Sequence, residues 1–388
     1  MEFVPSRAAA LERLRAFLPD AARYAEVRND AVPGTTSGLS AHLSRRLILE
    51  EEVVAAALGT HGLKASLKFV QEVCWRTYWK GWLESRPEAW NRWTAVCARL
   101  LDSGNPGMIK DFEAACAGRT DIACFNAWAQ ELVRTGWLHN HVRMWFASIW
   151  IFTLRLPWEL GALFFWRHLL DGDAASNTLS WRWVAGLHTA GKTYLARADN
   201  IARHTHGLHR PPPGRLASEA FVPIEAPLPK VQPEVWARSG CGGPTGLLLT
   251  REDLSPEIGA LSGLRAEAVL VLGTPATGAI TRDAKVEAWD SRALRDVAAR
   301  AQAHFGVPVD VVEGGVATEV VPAWKASRGL GTVVGYQPPV GLVRDALQGL
   351  SGEVGFSWYT REWDRDLWPH ASRGFFPFWQ AAEGVIGR

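Results

Sequence analysis

The period of the hydrophobic pattern changes once along this chain, near His209, and that change sets the fold class. Before it, apolar residues recur at spacings of three and four over Ala8 to Leu18, Ser44 to Leu58, Leu63 to Leu83, Asn126 to Thr135 and His139 to Leu154. That is the periodicity of amphipathic helices. Pro157 suits the first position of a further helix, Pro157 to Leu170, because it has no amide hydrogen to lose there. Gly172, Asn177 and Ser180 then interrupt the pattern, so 171–180 reads as a loop or tight turn before Trp181.

After His209 the texture is different. Arg210-Pro211-Pro212-Pro213-Gly214 is a linker signal, extended by Pro223, Pro227, Pro229 and Pro233. Beyond Thr245, short apolar runs over Gly246 to Thr250, Ala268 to Leu272, Val307 to Val312 and Thr332 to Tyr336 read as buried strands. They alternate with helical stretches over Ala293 to Phe305, Trp324 to Leu330 and Val340 to Leu350. Strands alternating with helices build a parallel sheet joined by crossovers. The expected organisation is an all-helical domain over 1–209, a Pro-rich linker over 210–243 and a doubly wound, Rossmann-like α/β domain over 244–388. No internal repeat or heptad run is visible. No G-x-G-x-x-G follows a strand, so NAD binding is not predicted.

Composition narrows the function classes. Hydrophobic residues make up 47% and charged residues 21% of the 388, which places the chain among ordinary globular proteins. The most apolar run, Met144 to Leu154, is too short to span a bilayer. The first seven residues lack the basic and apolar segments of a secretory signal. The expectation is a cytoplasmic protein with no membrane partner. The five cysteines are odd in number and none has C-x-x-C spacing, which argues against a disulfide framework and a four-thiolate metal or iron–sulfur site. Asp171-Gly172-Asp173 lacks further carboxylates at the spacing of a calcium loop, so no metal is expected. Residues 1–210 hold 25 Lys and Arg against 20 Asp and Glu, and nine of the eleven histidines. A mildly basic half is compatible with phosphate partners, although an ordinary solvated surface explains it as well.

Twenty tryptophans are far above usual, and most lie between Trp75 and Trp183. Tryptophan fills cores, stacks on flat ligands and loses one electron readily, and core packing accounts for most of them. Four stretches carry more specific chemistry. Tyr24 is followed by Thr36-Ser37-Gly38-Leu39-Ser40, hydroxyls and amides at a helix start that suit an anion or a plain N-cap. Glu72, Trp75, Arg76 and Trp79 fall at offsets of three, four and seven, on one helical face. The third stretch is Trp137-Leu138-His139-Asn140-His141-Val142-Arg143-Met144, and the fourth runs from Asp171 through Asn177 to Trp181-Arg182-Trp183.

Taken in order, these stretches resemble the FAD-binding domain of DNA photolyases and cryptochromes, over roughly residues 20–205. The resemblance implies FAD as cofactor. Tyr24 and Thr36, Ser37, Gly38, Leu39 and Ser40 match positions that grip its diphosphate. Arg143 and Asp171 match the ion pair beside the isoalloxazine, Asp173 a ribityl or ring-edge contact, and Asn177 the residue facing flavin N5. Trp181 and Trp158 match the inner and middle members of the photoreducing tryptophan chain. The outer member falls near Asp102, within 101–106, and is missing; Trp145, Trp150 or Trp166 would have to replace it. Glu72, Trp75, Asn140, Met144 and Trp183 match the pocket for a cyclobutane pyrimidine dimer, with Arg28 and Arg76 at its mouth. Three departures stand out. His141 occupies a position where repair enzymes usually have arginine. Residues 121–126 lack the family's Thr-Gly-x-Pro-x-Val-Asp pattern. Residues 192–201 look like the iron–sulfur branch without its cysteines.

The family's α/β antenna domain normally comes first. Here Leu247 to Leu254 resembles its opening strand and turn, and Gly374 to Trp379 its closing segment, so a circular permutation is expected. Domains fold as units and their termini lie at the surface, which permits it. No residue pattern identifies a second, antenna chromophore. The functional expectation is light-driven repair of pyrimidine dimers in single- or double-stranded DNA by an electron from reduced FAD, a photolyase-type lyase. The second reading is a cryptochrome-like blue-light receptor with a protein partner, and the third is a flavoprotein or DNA-binding module without photochemistry.

Overall fold

The computed structural model describes residues 2–102, 105–235, 243–274, 278–350 and 355–386. The helical half contains α1 (Arg7–Phe17), α2 (Tyr24–Val27), α3 (Ser40–Ser44), α4 (Glu50–Glu84), α5 (Glu88–Asp102), α6 (Pro106–Cys116), α7 (Ala123–Thr135), α8 (Asn140–Ser148), α9 (Trp158–His168), α10 (Ala174–Val184) and α11 (Ala198–His204). Ser6 caps α1 by accepting from the Ala9 amide at 3.2 Å, as a serine N-cap does. The two expected helices 44–58 and 63–83 form one rod, α4, broken only at Gly62 with φ 69°. It starts at Glu50 because Ser40–Ser44 form a separate turn of helix and Arg46 then adopts the left-handed region at φ 50°.

Of the loop expected over 171–180, residues 171–173 are non-helical as expected, and 174–180 are instead the first two turns of α10. Asp173 caps it, accepting from the Ser176 amide at 2.7 Å. Asn177, a weak helix former, is held inside it by donating to the Ala162 carbonyl at 2.8 Å. Tertiary partners here override a propensity difference of well under ~1 kcal/mol per residue.

The α/β half contains β1 (Thr245–Thr250), β2 (Ala268–Leu272), α12 (Ala284–Phe305), β3 (Val309–Val312), α13 (Ala317–Ser327), β4 (Thr332–Tyr336), α14 (Leu342–Leu347), β5 (Phe356–Tyr359), α15 (Glu362–Leu367) and α16 (Phe375–Ile386). The five strands are parallel in the order β3-β2-β1-β4-β5. Successive residues of β1 face opposite ways: Leu247 and Leu249 pack with α12, Leu248 with α13 and α14. Helices therefore cover both faces, which makes the sheet doubly wound. β5 extends beyond the strands legible in the sequence.

The two halves share a core rather than merely touching. Phe3, Ala41 and Leu47 join the cluster on one sheet face. After β5 the chain leaves the sheet, and Leu367, Ala371, Phe378 and Trp379 join the helical core beside α4. Strand order reverses between β1 and β4, where an open α/β sheet leaves its ligand crevice. Here the loop after β1 is taken by the helical half. Leu254 donates its amide to the Arg45 carbonyl at 3.1 Å, Ser255 Oγ donates to the Arg46 carbonyl at 2.7 Å, and Arg46 faces Asp253 at 3.5 Å.

Candidate functional site

α4, α8 and α10 enclose a cavity of about 480 Å³ with the loop before α3 on its rim. That size suits a bound organic group. Tyr24 and residues 36–40 line one part of it, as do Arg143, Asp171, Asn177 and Trp181 elsewhere. Glu72, Trp75, Arg76, Asn140, His141, Met144 and Trp183 line the same space, with Arg28. The structure thus brings together every expected site residue except Asp173 and Trp158. Asp173 stands behind the lining, its carboxylate spent on the α10 cap and on an ion pair with Arg76. Trp158 begins α9 and packs away from the cavity. Lys68, Phe165, Ser176 and Ser180 line the cavity without having been singled out. Lys68 lies four residues before Glu72 on α4, the one signal that marked it; its Nζ is 3.5 Å from Glu72 Oε1.

The polar wall is built from fixed charges. Arg143 donates through Nη1 and Nη2 to the two Asp171 oxygens at 3.0 and 2.8 Å, a bidentate pair. Burial pushes the Asp171 carboxyl up, but Arg143, with Ser40 and Arg76, outweighs it and holds the group below its ordinary value. Burial likewise opposes the Asp173 charge, and Arg76, Lys80 and the Ser176 amide outweigh it. At the mouth, Arg28 Nη1 donates to Glu72 Oε1 at 2.6 Å. Burial, reinforced by the Glu72 charge, pushes the Tyr24 phenol well up, so it stays a neutral donor.

Among the described residues five buried side-chain atoms on α10 lack a hydrogen-bond partner: Ser176 Oγ, Asn177 Oδ1, Thr178 Oγ1, Trp181 Nε1 and Arg182 Nε. Of these residues Ser176, Asn177 and Trp181 line the cavity. Buried polar groups are rarely left unmade, so the atoms of these three fit a bound polar group. Asn177 gives its Nδ2 to Ala162, which leaves Oδ1 as an acceptor facing the cavity. A flavin ring nitrogen that carries a proton is the matching donor. The residues present therefore fit the FAD that the resemblance implies.

His141 is stacked on Trp145 with ring centroids 4.2 Å apart. Its Nδ1 faces the Asn29 carbonyl at 2.7 Å and its Nε2 the Tyr194 hydroxyl at 3.3 Å, so both nitrogens are engaged. The divergent stretch before α7 is self-contained: Asn126 Oδ1 accepts from the Thr120 amide and hydroxyl at 2.9 and 2.7 Å. In the stretch assigned to the missing tryptophan, residues 103 and 104 lie outside the described residues.

Trp181 is 2% exposed and packs its indole onto Gly161. A Cβ at 161 would sit 2.3 Å from Trp181 and 3.0 Å from Trp150. Gly161→Ala is expected to cost about 1–3 kcal/mol of stability and to displace Trp181, read as changed tryptophan fluorescence and an earlier melt. An unchanged melt would mean that the indole has room to move.

Three histidines, His42 and His139 buried and His188 half-buried, set an acid limit. Burial lowers His42 and His139 from 6.5 to about 4, and His188 to about 3. They are neutral in the fold, so between those values and 6.5 the unfolded chain binds more protons. Stability therefore falls as pH drops through that window. Melting temperature is expected to decline steadily below about pH 6.5; a flat profile down to pH 4 would refute neutral burial.

Comparison with known proteins agrees with this site. Residues 69–207 match the family described as the FAD binding domain of DNA photolyase. The deoxyribodipyrimidine photo-lyase of Streptomyces griseus is 32% identical over 193 residues, covering 46% of this chain and 41% of that protein. The enzyme of that name from Synechococcus is 30% identical over 241 residues, covering 57% and 49%. The chain thus spans about half or less of the length of these relatives. A bacterial class III photolyase structure from Agrobacterium tumefaciens aligns with TM-score 0.43 and 27% identity over 52% of this chain and 43% of that one. Fold and site together define a helical flavin-binding domain fused to a doubly wound α/β domain. Residues 69–207 thus match the photolyase-type FAD-binding domain, and it is over the helical half that the chain is similar to these photolyases.

Proposed function

We propose that this protein repairs pyrimidine dimers in DNA, using light and a bound, reduced FAD. The observation that carries the reading is that the lesion-type residues Glu72, Trp75, Asn140, Met144 and Trp183 line the same cavity as Arg143, Asp171 and Asn177. When bound, FAD supplies the excited-state electron that opens the cyclobutane ring and takes it back. The chain's own work is placement. Trp75 and Trp183 supply flat apolar walls for the two joined bases of the extruded lesion, which must leave the duplex stack to be reached. Asn140 and the free oxygen of Glu72 hydrogen-bond base edges, while Arg28 orients that carboxylate. No acid or base is required, so position and exclusion of water are the protein's contribution.

The α/β half is, in this reading, the family's antenna-type domain moved to the C-terminus. Its strand order, the Arg251-Glu252-Asp253 turn after β1 and the Phe375–Trp379 segment support that assignment.

A second reading, a signalling receptor with a protein partner, is favoured by His141, whose nitrogens are both engaged where repair enzymes usually carry arginine. The deciding experiment loads and reduces the flavin, adds a thymine-dimer oligonucleotide under blue light and counts restored thymines against a dark control. Light-dependent recovery is expected; none, with reduced flavin present, would favour the receptor. Binding to dimer DNA is expected to weaken as salt rises, by a slope of about 0.9 per phosphate contact in log units, and salt-independent binding would remove the DNA partner.

A further inference from the structure

We propose that the C-terminal segment Ser372–Phe376 is part of the DNA-contacting surface. Phe375 braces the Trp75 wall, and Phe376 and Arg373 meet the strand beside the extruded lesion. This rests on the repair reading and adds to it a contribution from the far end of the chain.

The first observation is a stack. Phe375 lies on Trp75 with ring centroids 3.9 Å apart and planes 5° from parallel. Trp75 lines the cavity, and Phe375 does not. Tyr78 presents its edge to both rings, at 5.3 and 5.7 Å. A wall that must stack against a flat lesion gains from being held in one rotamer before the lesion arrives, because the ordering cost is then already met.

The second observation is how firmly the segment is held. Tyr78 Oη donates to the Arg373 carbonyl at 2.8 Å, and Arg86 Nη2 to the Ser372 carbonyl at 3.1 Å. Just upstream, Gly81 of α4 lets the chain approach so closely that a Cβ there would fall 2.7 Å from Ala371 Cβ. Residues 372–376 are therefore fixed against the helical half at the cavity's edge.

The third observation is what the segment shows to solvent. Phe376 is 74% exposed, one residue beyond the brace and 6.1 Å from it ring to ring. A lone exposed aromatic needs no explanation; this one comes two residues after Gly374, which with Ser372 and Arg373 lines a second concavity of about 760 Å³. That concavity is lined by Arg86, Arg182, Arg373, His188 and the glycines 186 and 191, and it shares α4 and α10 with the first. Glu225 neutralises Arg182 at 2.6 Å. Arg373 is exposed and has no acidic partner among the described residues. An unpaired exposed arginine beside an exposed aromatic ring matches a nucleic-acid strand, a phosphate to Arg373 and a base to Phe376.

The test measures binding of a dimer-containing oligonucleotide and its undamaged twin by fluorescence anisotropy, with the FAD-loaded full chain, over a range of salt. Phe376→Ala is expected to weaken dimer binding roughly five- to a hundredfold, the loss of one base–aromatic contact. Arg373→Ala is expected to lower the salt slope by about 0.9. Phe375→Leu is expected to erode the preference for the dimer over the twin while the flavin spectrum stays unchanged. Wild-type preference for dimer DNA with Phe376→Ala and Arg373→Ala indistinguishable from wild type in affinity and slope would overturn this inference alone. Wild type that binds neither oligonucleotide would overturn it together with the repair reading.

Discussion

Arg46→Ala is expected to remove about 3–5 kcal/mol from the stability of the chain, the penalty for stranding buried charges. Arg46 is 3% exposed and sits where the helical half meets the α/β half. Its Nη2 donates to both oxygens of Asp364, at 2.7 and 2.6 Å. Asp253 lies 3.5 Å from Nη1 and Glu50 3.5 Å from Nε. The residue also holds φ at 50°, which costs a non-glycine side chain roughly 1–2 kcal/mol. Backbone strain tolerated at a buried arginine implies that the ion pairs outweigh it. Asp253 keeps a second partner, since Arg361 Nη2 donates to it at 2.7 Å. Among the described residues Asp364 has no other arginine partner, and burial pushes its carboxyl up even with Arg46 present. The loss should therefore fall mainly on Asp364. A double variant, Arg46→Ala with Asp364→Asn, is expected to recover much of it, read by calorimetric melting of all three proteins. A single variant within about 0.5 kcal/mol of wild type would mean that water already reaches this interface. Equal instability of single and double variants would place the penalty elsewhere. Acid should act the same way on Glu50 and Asp253. Burial opposes both charges, but neighbouring arginines hold them below the ordinary carboxylate value, so their contribution is present at neutral pH and lost as pH falls through those lowered values.

The parts of this architecture that were legible in the sequence are those fixed by local pattern. β2 and β4 fall where runs of β-branched and apolar residues placed them, Ala268–Leu272 and Thr332–Tyr336. The cavity face of α4 was legible for a similar reason: Glu72, Trp75, Arg76 and Trp79 are neighbours by helical geometry alone. What escaped depended on partners distant in sequence. α10 read as a loop because Asn177 and Ser180 are poor helix formers in isolation; their polar side chains are there to face the cavity, with Asn177 satisfied by Ala162 of α9. Asp173 was assigned a ligand contact from the family pattern, but its position at the start of α10 aims it at Ser176 and Arg76. Nor does any local signal announce that the chain returns after β5 to lay Phe375 on Trp75, 300 residues earlier.

Trp181→Phe is expected to suppress blue-light reduction of the bound flavin most strongly. Trp150→Phe is expected to slow it by at least ~tenfold, about 1.4 kcal/mol of barrier, and Trp158→Phe by less. Trp181 lines the cavity and, in the proposed reading, is the inner electron donor to the flavin. The tryptophan that packs on it is Trp150, 6.1 Å away centroid to centroid and edge-on. The two meet across Gly161. Trp150 is fully buried, and its Nε1 donates to the Pro157 carbonyl at 2.9 Å, a dipole that stabilises the positive charge an indole gains on losing an electron. Trp158 has the opposite surroundings: the Arg182 guanidinium stands 5.7 Å from its ring. A neighbouring cation makes removal of an electron harder, although Glu225, at 2.6 Å from Arg182, offsets part of that charge. The order Trp181, then Trp150, then Trp158 thus follows from packing and electrostatics, and it differs from the order the family resemblance implies. Flavin absorbance under steady blue light with external reductant separates the two, provided each variant first shows the wild-type flavin spectrum. A larger defect in Trp158→Phe than in Trp150→Phe would return the electron route to the start of α9 and show that Glu225 fully cancels the charge of Arg182.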